Sequence, residues 1–286
     1  MTEWINLREE RDFGEKFNAT FLFARQNFKS LSLSLLFLGT PLMLAGTLLT
    51  AYYQLDQKVG RITSLEMLPS GFFGFLAAII LINLVAYSWL LTVTLSYIAE
   101  YLDGNREITP GQVFSRASKK IGLVIVGSIA SSILAMLGML LVVIPGIYLA
   151  VAVSFVSTII VIEGDSPFKS IPRSIRLIGG KWWSTFGLMF VMGIIVGLMQ
   201  IVFNIPSLAV AIPKALHGNM ASFDAFTILT QAISSIGITL LYPLIFIALA
   251  FQYFNLVERK ESAGLKQQID MAGNQPETTL KNEGEY

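Results

Sequence analysis

Five uncharged stretches separate the charged residues of the chain into six groups. The stretches cover residues 31–53, 68–99, 121–162, 182–213 and 225–257. A helix of about 20 apolar residues crosses the hydrocarbon core of a membrane, so four of the stretches each predict one span. The stretch 121–162 is too long for one span, and Pro145 with Gly146 predicts a tight turn inside it. The sequence therefore predicts six spans, at about 31–53, 71–99, 121–144, 147–162, 183–205 and 227–254.

A short amphipathic helix is predicted before each pair of spans. Asp12 with Glu15 and Thr109 with Gln112 have the spacing of capping boxes, in which two side chains satisfy free amides of the first turn. Pro167 suits the first position of a third helix, where no amide donor is lost. These signals predict interfacial helices at about 12–29, 109–120 and 166–179.

The third of these helices has the clearest division into faces. The residues of its predicted apolar face are Phe168, Ile171, Ile175 and Ile178. Its basic residues, Lys169, Arg173 and Arg176, are expected on the opposite face. A helix of this kind lies in the headgroup plane of a membrane, with its apolar face towards the acyl chains and its basic face towards the phosphates.

These elements define the predicted fold class. The chain is expected to be an all-α integral membrane protein with six transmembrane helices, arranged as three repeats of an amphipathic interfacial helix plus a helical hairpin. Residues 1–257 form this membrane domain. Residues 258–286 are polar and mixed in charge, which predicts a disordered cytoplasmic tail.

Composition excludes several functional classes. Charged residues make up 14 % of the chain, against about 25 % in soluble domains. The near balance of 20 basic and 19 acidic residues argues against a nucleic-acid partner. The chain has no cysteine and one histidine, which excludes disulfides and a His-based metal site. We therefore expect no metal and no cofactor.

Basic residues are distributed unequally between the two sides of the predicted bundle. Only Lys58, Arg61 and Lys214 fall in the loops opposite the chain termini. An excess of Lys and Arg marks the cytoplasmic loops of membrane proteins. Both termini are therefore predicted to be cytoplasmic.

Several short segments resemble a known family. They are residues 144–148, 161–164, 170–174 and 180–183, which read IPGIY, VIEG, SIPRS and GKWW. Over residues 12–203 the chain resembles the membrane-domain family of glycerophosphoryl diester phosphodiesterases and related six-span bacterial proteins. The resemblance implies this fold and a bacterial cytoplasmic (inner) membrane. It does not imply phosphodiesterase activity, because the residues after the last span do not match the catalytic barrel of that family.

A basic collar on the side of the termini is the main candidate site. Its members are Lys29, Arg116, Lys119, Lys120, Arg173, Arg176 and Lys181. These residues are suited to binding anionic lipid headgroups or a protein partner. The alternative is that they only set the orientation of the spans, which requires positive flanks whatever the function.

Five further residues are expected to have structural roles. Pro145 and Gly146 are assigned to the hairpin turn. Glu163 is expected to pair with a nearby arginine of the third amphipathic helix and so to fix that helix at the membrane surface. Trp182 and Trp183 are expected at the membrane interface, where aromatic residues are enriched.

Polar and small residues inside the spans leave two alternatives open. Asn83, Gln200 and Gln231 either line a polar cavity or hydrogen-bond between helices. Gly193 and Gly197 form a small-xxx-small pair, which suits packing within the chain or a homodimer.

The predicted function is that of a non-enzymatic polytopic membrane protein. It is expected to be lipid-associated, or a scaffold or accessory subunit, and to act through the basic collar on anionic lipids, a protein partner or a second copy. A transporter or lipid-translocating protein is the alternative, weakened by the lack of charged residues inside the spans. An enzyme is the least supported, since no nucleophile–base pair or metal constellation is evident.

Overall fold

The computed structural model describes residues 4–55, 72–217, 224–262 and 269, and these residues contain helices and no strands. The helices are α1 Phe13–Gln26, α2 Phe28–Ser34, a π-helical turn Leu35–Gly39, α3 Thr40–Leu55, α4 Phe72–Leu102, α5 Pro110–Leu141, α6 Val143–Ala152, α7 Val156–Ile162, α8 Pro167–Ile178, α9 Trp182–His217 and α10 Asp224–Glu261. Within the described part of the chain, six segments are long and apolar enough to cross a membrane. The all-helical class, with six helical segments long and apolar enough to span a membrane, is thus confirmed.

The predicted helix starts are present. Asp12 Oδ1 accepts from the Glu15 amide at 2.7 Å, and Glu15 Oε2 accepts from the Asp12 amide at 2.7 Å. Thr109 and Gln112 form the same reciprocal pair at the start of α5. Pro167 occupies the first turn of α8. Local capping signals therefore placed three helix starts correctly.

The second predicted interfacial helix is not a separate element. Residues 109–120 and the following span form one continuous helix, α5. The interior of α5 contains no proline, and its Gly122 costs only about 1 kcal/mol, which does not end a helix of this length. The pattern of an interfacial helix followed by a hairpin is therefore broken at its second occurrence.

The turn between α5 and α6 lies at Val142, not at Pro145 and Gly146 as predicted. Val142 is extended, and α6 begins at the next residue. Pro145 falls in the first turn of α6, where its missing amide costs no hydrogen bond. A Cβ on Gly146 would lie 2.7 Å from the Met139 amide nitrogen. Gly146 is thus needed for the close approach of α5 and α6.

The other ends of the spans also differ from prediction. Helix α9 continues through Pro206 and Pro213 to His217, well beyond residue 205. Helix α10 continues to Glu261, so residues 258–261 of the predicted tail are helical. Residues 263–268 and 270–286 of that tail lie outside the described residues. Around Gly193 and Gly197 there is open space within 4 Å, so this pair is not used for packing within the described chain.

The fourth span is broken, which the sequence did not predict. Helix α6 ends at Ala152 and α7 begins at Val156. The Ser174 hydroxyl of α8 donates to the Ala152 carbonyl at 2.7 Å and accepts from the Phe155 amide at 3.2 Å. A break inside a membrane bundle requires other partners for the released backbone groups. Ser174 provides them and thereby fixes α8 against the break.

The tightly packed core lies at one end of the bundle. Buried residues concentrate in 86–101 of α4, 151–161 of α6 and α7, and 241–256 of α10. We call this the charged end, because the ion-paired residues Glu100, Arg116, Glu163, Arg173 and Glu261 lie around it. The Arg11 amide also donates to Asn255 Oδ1 at 2.9 Å, so the N-terminal segment and the end of α10 meet there.

Apolar side chains are exposed away from the charged end. Leu141 is 80 % and Ile144 76 % exposed at the turn between α5 and α6, and the second half of α9 exposes Leu198, Val202 and Leu208. Soluble monomers rarely expose contiguous apolar surface of this extent. These surfaces fit contact with lipid chains.

Ser174→Ala tests the role of the hydroxyl at the break. We expect the free energy of unfolding to fall by about 1 to 3 kcal/mol, because two buried backbone groups lose a partner. The matched control is Ser170→Ala on the same buried face, whose hydroxyl bonds only the Ser166 carbonyl of its own helix; a loss under about 1 kcal/mol is expected there. Unfolding in detergent measures both, and equal losses would contradict the assigned role.

Candidate functional site

Helix α8 has three different surroundings. Its core face consists of Pro167, Ser170, Ser174, Leu177 and Ile178. Phe168 is 74 % and Ile175 37 % exposed. The two residues lie about two helical turns apart and share a second face of the helix. Lys169 and Arg176 are exposed along a third face. We call the second face the apolar stripe and the third the basic stripe.

The predicted apolar face of this helix is therefore divided. Ile178 is 1 % exposed and packs in the core, whereas Phe168 and Ile175 remain outside. The physical reason is that α8 packs on the bundle through small serine residues, which permit close approach of the helices. The sequence pattern predicted one apolar and one basic face, and it did not reveal the separate face that packs on the core.

Arg173 is held by two carboxylates. Its Nε contacts Glu163, and its Nη1 and Nη2 lie 3.0 and 3.1 Å from the two oxygens of Glu261. The Tyr253 hydroxyl donates to the other oxygen of Glu163. Hydrogen bonds to Glu163 and then Glu261 raise the pKa of Arg173 above its ordinary value. This cluster joins the end of α7, α8 and the end of α10.

The Glu163 interaction involves Arg173 and not Arg176, which settles the choice that the sequence left between the two arginines. The Arg173 and Glu163 side chains are each 22 % exposed. Arg173 also makes a two-pronged pair with both oxygens of Glu261, and charge-assisted pairing of that kind is geometrically specific. Arg173 is therefore already neutralised within the chain.

Arg116 is also paired inside the protein. Its Nε lies 2.6 Å from Glu100 Oε1, and its Nη2 contacts Asp103. The pairs connect the start of α5 to the end of α4. Arg116 therefore does not present a free charge to lipid.

The other predicted collar residues are placed differently. Lys29, Lys119, Arg176 and Lys181 are exposed, and Lys120 is half-buried with its Nζ beside Gly164. For these five cations, the described residues supply no carboxylate at ion-pair distance.

A further cation caps the end of α8. Lys260 Nζ donates to the carbonyl oxygens of Arg176 and Gly179 at 2.7 and 2.8 Å. A cation at this position satisfies free carbonyl groups and stabilises the helix dipole. Sequence reasoning missed it, because Lys260 was assigned to the disordered tail.

Lys16 of α1 is a buried lysine that sequence reasoning did not single out. It is 3 % exposed, its Nζ donates to Gln252 Oε1 at 2.7 Å, and it lies 3.5 Å from Ser184 Oγ. Gln252 in turn donates to Thr185 Oγ1 at 3.0 Å. Burial chiefly, and then the charges of Arg259 and Lys181, lower the pKa of Lys16 against an opposing effect of Asp12.

An apolar cleft lies between α6 and α9. Its volume is about 430 Å³, and its lining consists of Ile144, Ile147, Tyr148, Trp182, Trp183 and Phe186. Trp182 stacks on Tyr148 and on Phe186, and its Nε1 donates to the Tyr148 carbonyl at 3.1 Å. Trp183 is 77 % exposed at the mouth of the cleft. Trp182 thus connects α9 to α6.

The candidate cavity residues lie along the spans. Asn83 Nδ2 donates to the Ile79 carbonyl at 2.9 Å, and its side-chain oxygen lies beside Gly46 of α3. Gln200 Nε2 donates to the Ser234 carbonyl of α10 at 3.1 Å. Gln231 is half-buried on α10. Asn83 and Gln200 therefore lie where neighbouring helices touch, and the polar cavity stays a prediction.

The pH dependence of stability tests the burial of Lys16. Because the pKa of Lys16 is lowered in the folded protein, the unfolded chain binds more protons between that pKa and the ordinary value of 10.5. Stability due to Lys16 should therefore rise with pH through this window. We expect Lys16→Met to lack this rise, measured as the melting temperature in detergent against pH.

The control is Lys29→Met, which removes an exposed lysine and should give a profile parallel to that of the wild type. A Lys16→Met profile that is also parallel would contradict the burial of a charged Lys16.

Comparison with known proteins gives one match, to a family model. Neither the curated proteins nor the solved structures yielded a match. The family model described as "Domain of unknown function (DUF7847)" matches residues 22–256, from within α1 to near the end of α10. The resemblance to the phosphodiesterase membrane domain stays a prediction. The match covers most of the chain, and the protein belongs to the DUF7847 family.

Proposed function

We propose that this protein is a non-enzymatic, multi-pass protein of a bacterial cytoplasmic membrane that binds anionic phospholipid headgroups at its charged end. It acts there as a lipid-associated scaffold or accessory subunit. The observation that carries the proposal is the pair of exposed stripes on α8, one apolar and one basic, beside a face that is fixed to the core.

The stripes suit the boundary between lipid chains and phosphates. Phe168 and Ile175 extend from the bundle on one side of α8, and Lys169 and Arg176 extend on the next. An interfacial helix with such faces buries its apolar side at the acyl boundary and directs its cations to the headgroups. Each Lys or Arg near an anionic membrane surface contributes about 1 kcal/mol.

Ion pairing reduces the basic collar to fewer contacts than the sequence suggested. Arg116 and Arg173 are omitted from the proposed contacts, because carboxylates within the chain already neutralise them. The remaining contacts are Lys29, Lys119, Arg176 and Lys181, together with Lys169 and the partly buried Lys120.

The proposed orientation follows from the same cations. The N-terminal segment and the end of α10 meet at the charged end. The excess of Lys and Arg in the connections on that side supports a cytoplasmic position for this end and for both termini. A protein partner or a second copy bound at the same end is compatible with a scaffold role.

Transport is the second candidate, and the broken fourth span favours it. Transporters often coordinate substrates with the backbone groups of discontinuous helices. Here the Ala152 carbonyl and the Phe155 amide both bond Ser174. Because Ser174 of α8 already bonds both groups, they are not free to coordinate a substrate, and transport stays the second candidate.

Lipid titration by native mass spectrometry tests the proposal. Protein in detergent is titrated with phosphatidylglycerol, with phosphatidylcholine as the neutral reference. Arg176→Gln and Lys181→Gln should each weaken phosphatidylglycerol binding about fivefold, which corresponds to about 1 kcal/mol per cation. The double variant should lose most of the preference for the anionic lipid.

The matched control is Arg106→Gln, which removes one exposed cation of the connection between α4 and α5 that is not among the proposed contacts. Its effect should stay below about twofold. Melting temperatures show whether the variants are folded. Undiminished binding of phosphatidylglycerol by a folded Arg176→Gln/Lys181→Gln variant would refute the proposal.

A further inference from the structure

Stacked aromatic rings line one side of the cleft between α6 and α9. Tyr148, Trp182, Phe186 and Phe190 form a continuous series of stacked rings, with centroids 5.6, 5.1 and 5.9 Å apart. Because the rings support one another, a ligand that enters the cleft does not need to order them. Preorganisation of this kind favours binding.

The chemistry of the lining favours an apolar ligand. Ile144, Ile147 and Phe186 line the cleft and have side chains made of hydrocarbon alone. The Trp182 indole N–H already donates to the Tyr148 carbonyl. Few polar groups are left to recognise a hydrogen-bonding ligand, whereas hydrocarbon gains contact with most of the surface.

The surroundings of the cleft indicate what reaches it. Ile144 is 76 % and Trp183 77 % exposed, and both belong to segments apolar enough to cross a membrane. Lipid chains are the neighbours of such surfaces. The cleft, with six lining residues, is also much smaller than the surface of about 1,000 Å² that a specific protein partner needs.

Positive charge adjoins the cleft at the start of α9. Lys181 directly precedes Trp182 and is exposed. Lys16 reaches Ser184 in the first turn of the same helix, at 3.5 Å. The amide groups at the start of α9 add a partial positive charge. Among the described residues, neither lysine has a carboxylate at ion-pair distance.

We infer that the cleft binds one acyl chain of an anionic phospholipid whose phosphate lies at Lys181. The chain packs along the ring series, and the phosphate supplies the negative charge that the start of α9 lacks. The headgroup part of this inference rests on the proposed function. The acyl-chain site goes beyond it, because it assigns a specific bound lipid to a defined cleft.

Native mass spectrometry of a cleft-filling variant tests the inference. The wild type, Ile147→Trp and the control Ile133→Trp are incubated with dioleoyl phosphatidylglycerol in detergent. Ile133 is 49 % exposed on α5 and does not line the cleft. We expect one tightly retained lipid in the wild type and the control, and at least tenfold weaker retention in Ile147→Trp, because its indole occupies the site.

A fluorescence measurement keeps the test valid if Ile147→Trp does not fold. Substitution of Trp4 and Trp89 by Phe leaves Trp182 and Trp183 as the tryptophans of the chain, which red-edge excitation selects over tyrosine. Phosphatidylglycerol with brominated acyl chains should quench them with saturation at one lipid per protein. Quenching that increases without saturation as lipid is added would overturn the inference.

The variants separate this inference from the proposed function. Ile147→Trp should weaken retention of both phosphatidylglycerol and phosphatidylcholine, whereas Lys181→Gln should weaken only the former. A folded Ile147→Trp variant that retains lipid like the wild type overturns the acyl-chain site and leaves the proposed function standing. A protein dimer that Ile147→Trp dissociates, with no lipid retained, would assign the cleft to a second copy and also overturn it.

Discussion

The two hydrogen bonds of the Ser174 hydroxyl are the interaction on which the charged end depends. They satisfy the backbone groups on either side of the break between α6 and α7. A break at this depth is costly unless its amide and carbonyl groups find partners. The same contact holds the core face of α8 against the bundle, so it determines which residues of α8 remain outside. The ion pairs of Arg173 then attach α8 to the ends of α7 and α10.

The fixed position of α8 divides the cations of the protein into two groups. Arg173, like Arg116 on α5, is used inside the chain to hold helices together. Arg176 and Lys181 are exposed at the end of α8 and before α9. The apolar stripe beside the exposed cations and the cleft beside Lys181 both place hydrocarbon next to positive charge. An anionic phospholipid has the complementary arrangement of charge and hydrocarbon, which makes it the common ligand in our proposals.

Local signals in the sequence predicted much of the fold. The six spans followed from the length of the uncharged runs, and the starts of α1 and α5 followed from their capping boxes. Features that depend on contacts between distant residues were missed or misplaced. The turn lies at Val142 because Gly146 is used for helix packing, and Lys16 is buried because Gln252, 236 residues away, accepts its hydrogen bond. The core face of α8 was not predicted either, because it depends on contacts with distant residues. Serine is found on buried and on exposed faces, so its position in the sequence does not identify the buried face.

The most direct test of the central claim is the depth of α8 in a membrane. Because the chain has no cysteine, single nitroxide labels can be attached at Phe168→Cys, Ile175→Cys, Lys169→Cys and Arg176→Cys. The labelled proteins are placed in bilayers of phosphatidylglycerol and phosphatidylcholine, and accessibility to oxygen and to a water-soluble nickel complex is measured by electron paramagnetic resonance. The account predicts that labels at positions 168 and 175 contact oxygen in the lipid and that labels at 169 and 176 contact nickel in water. Equal exposure of all four labels to nickel would contradict it.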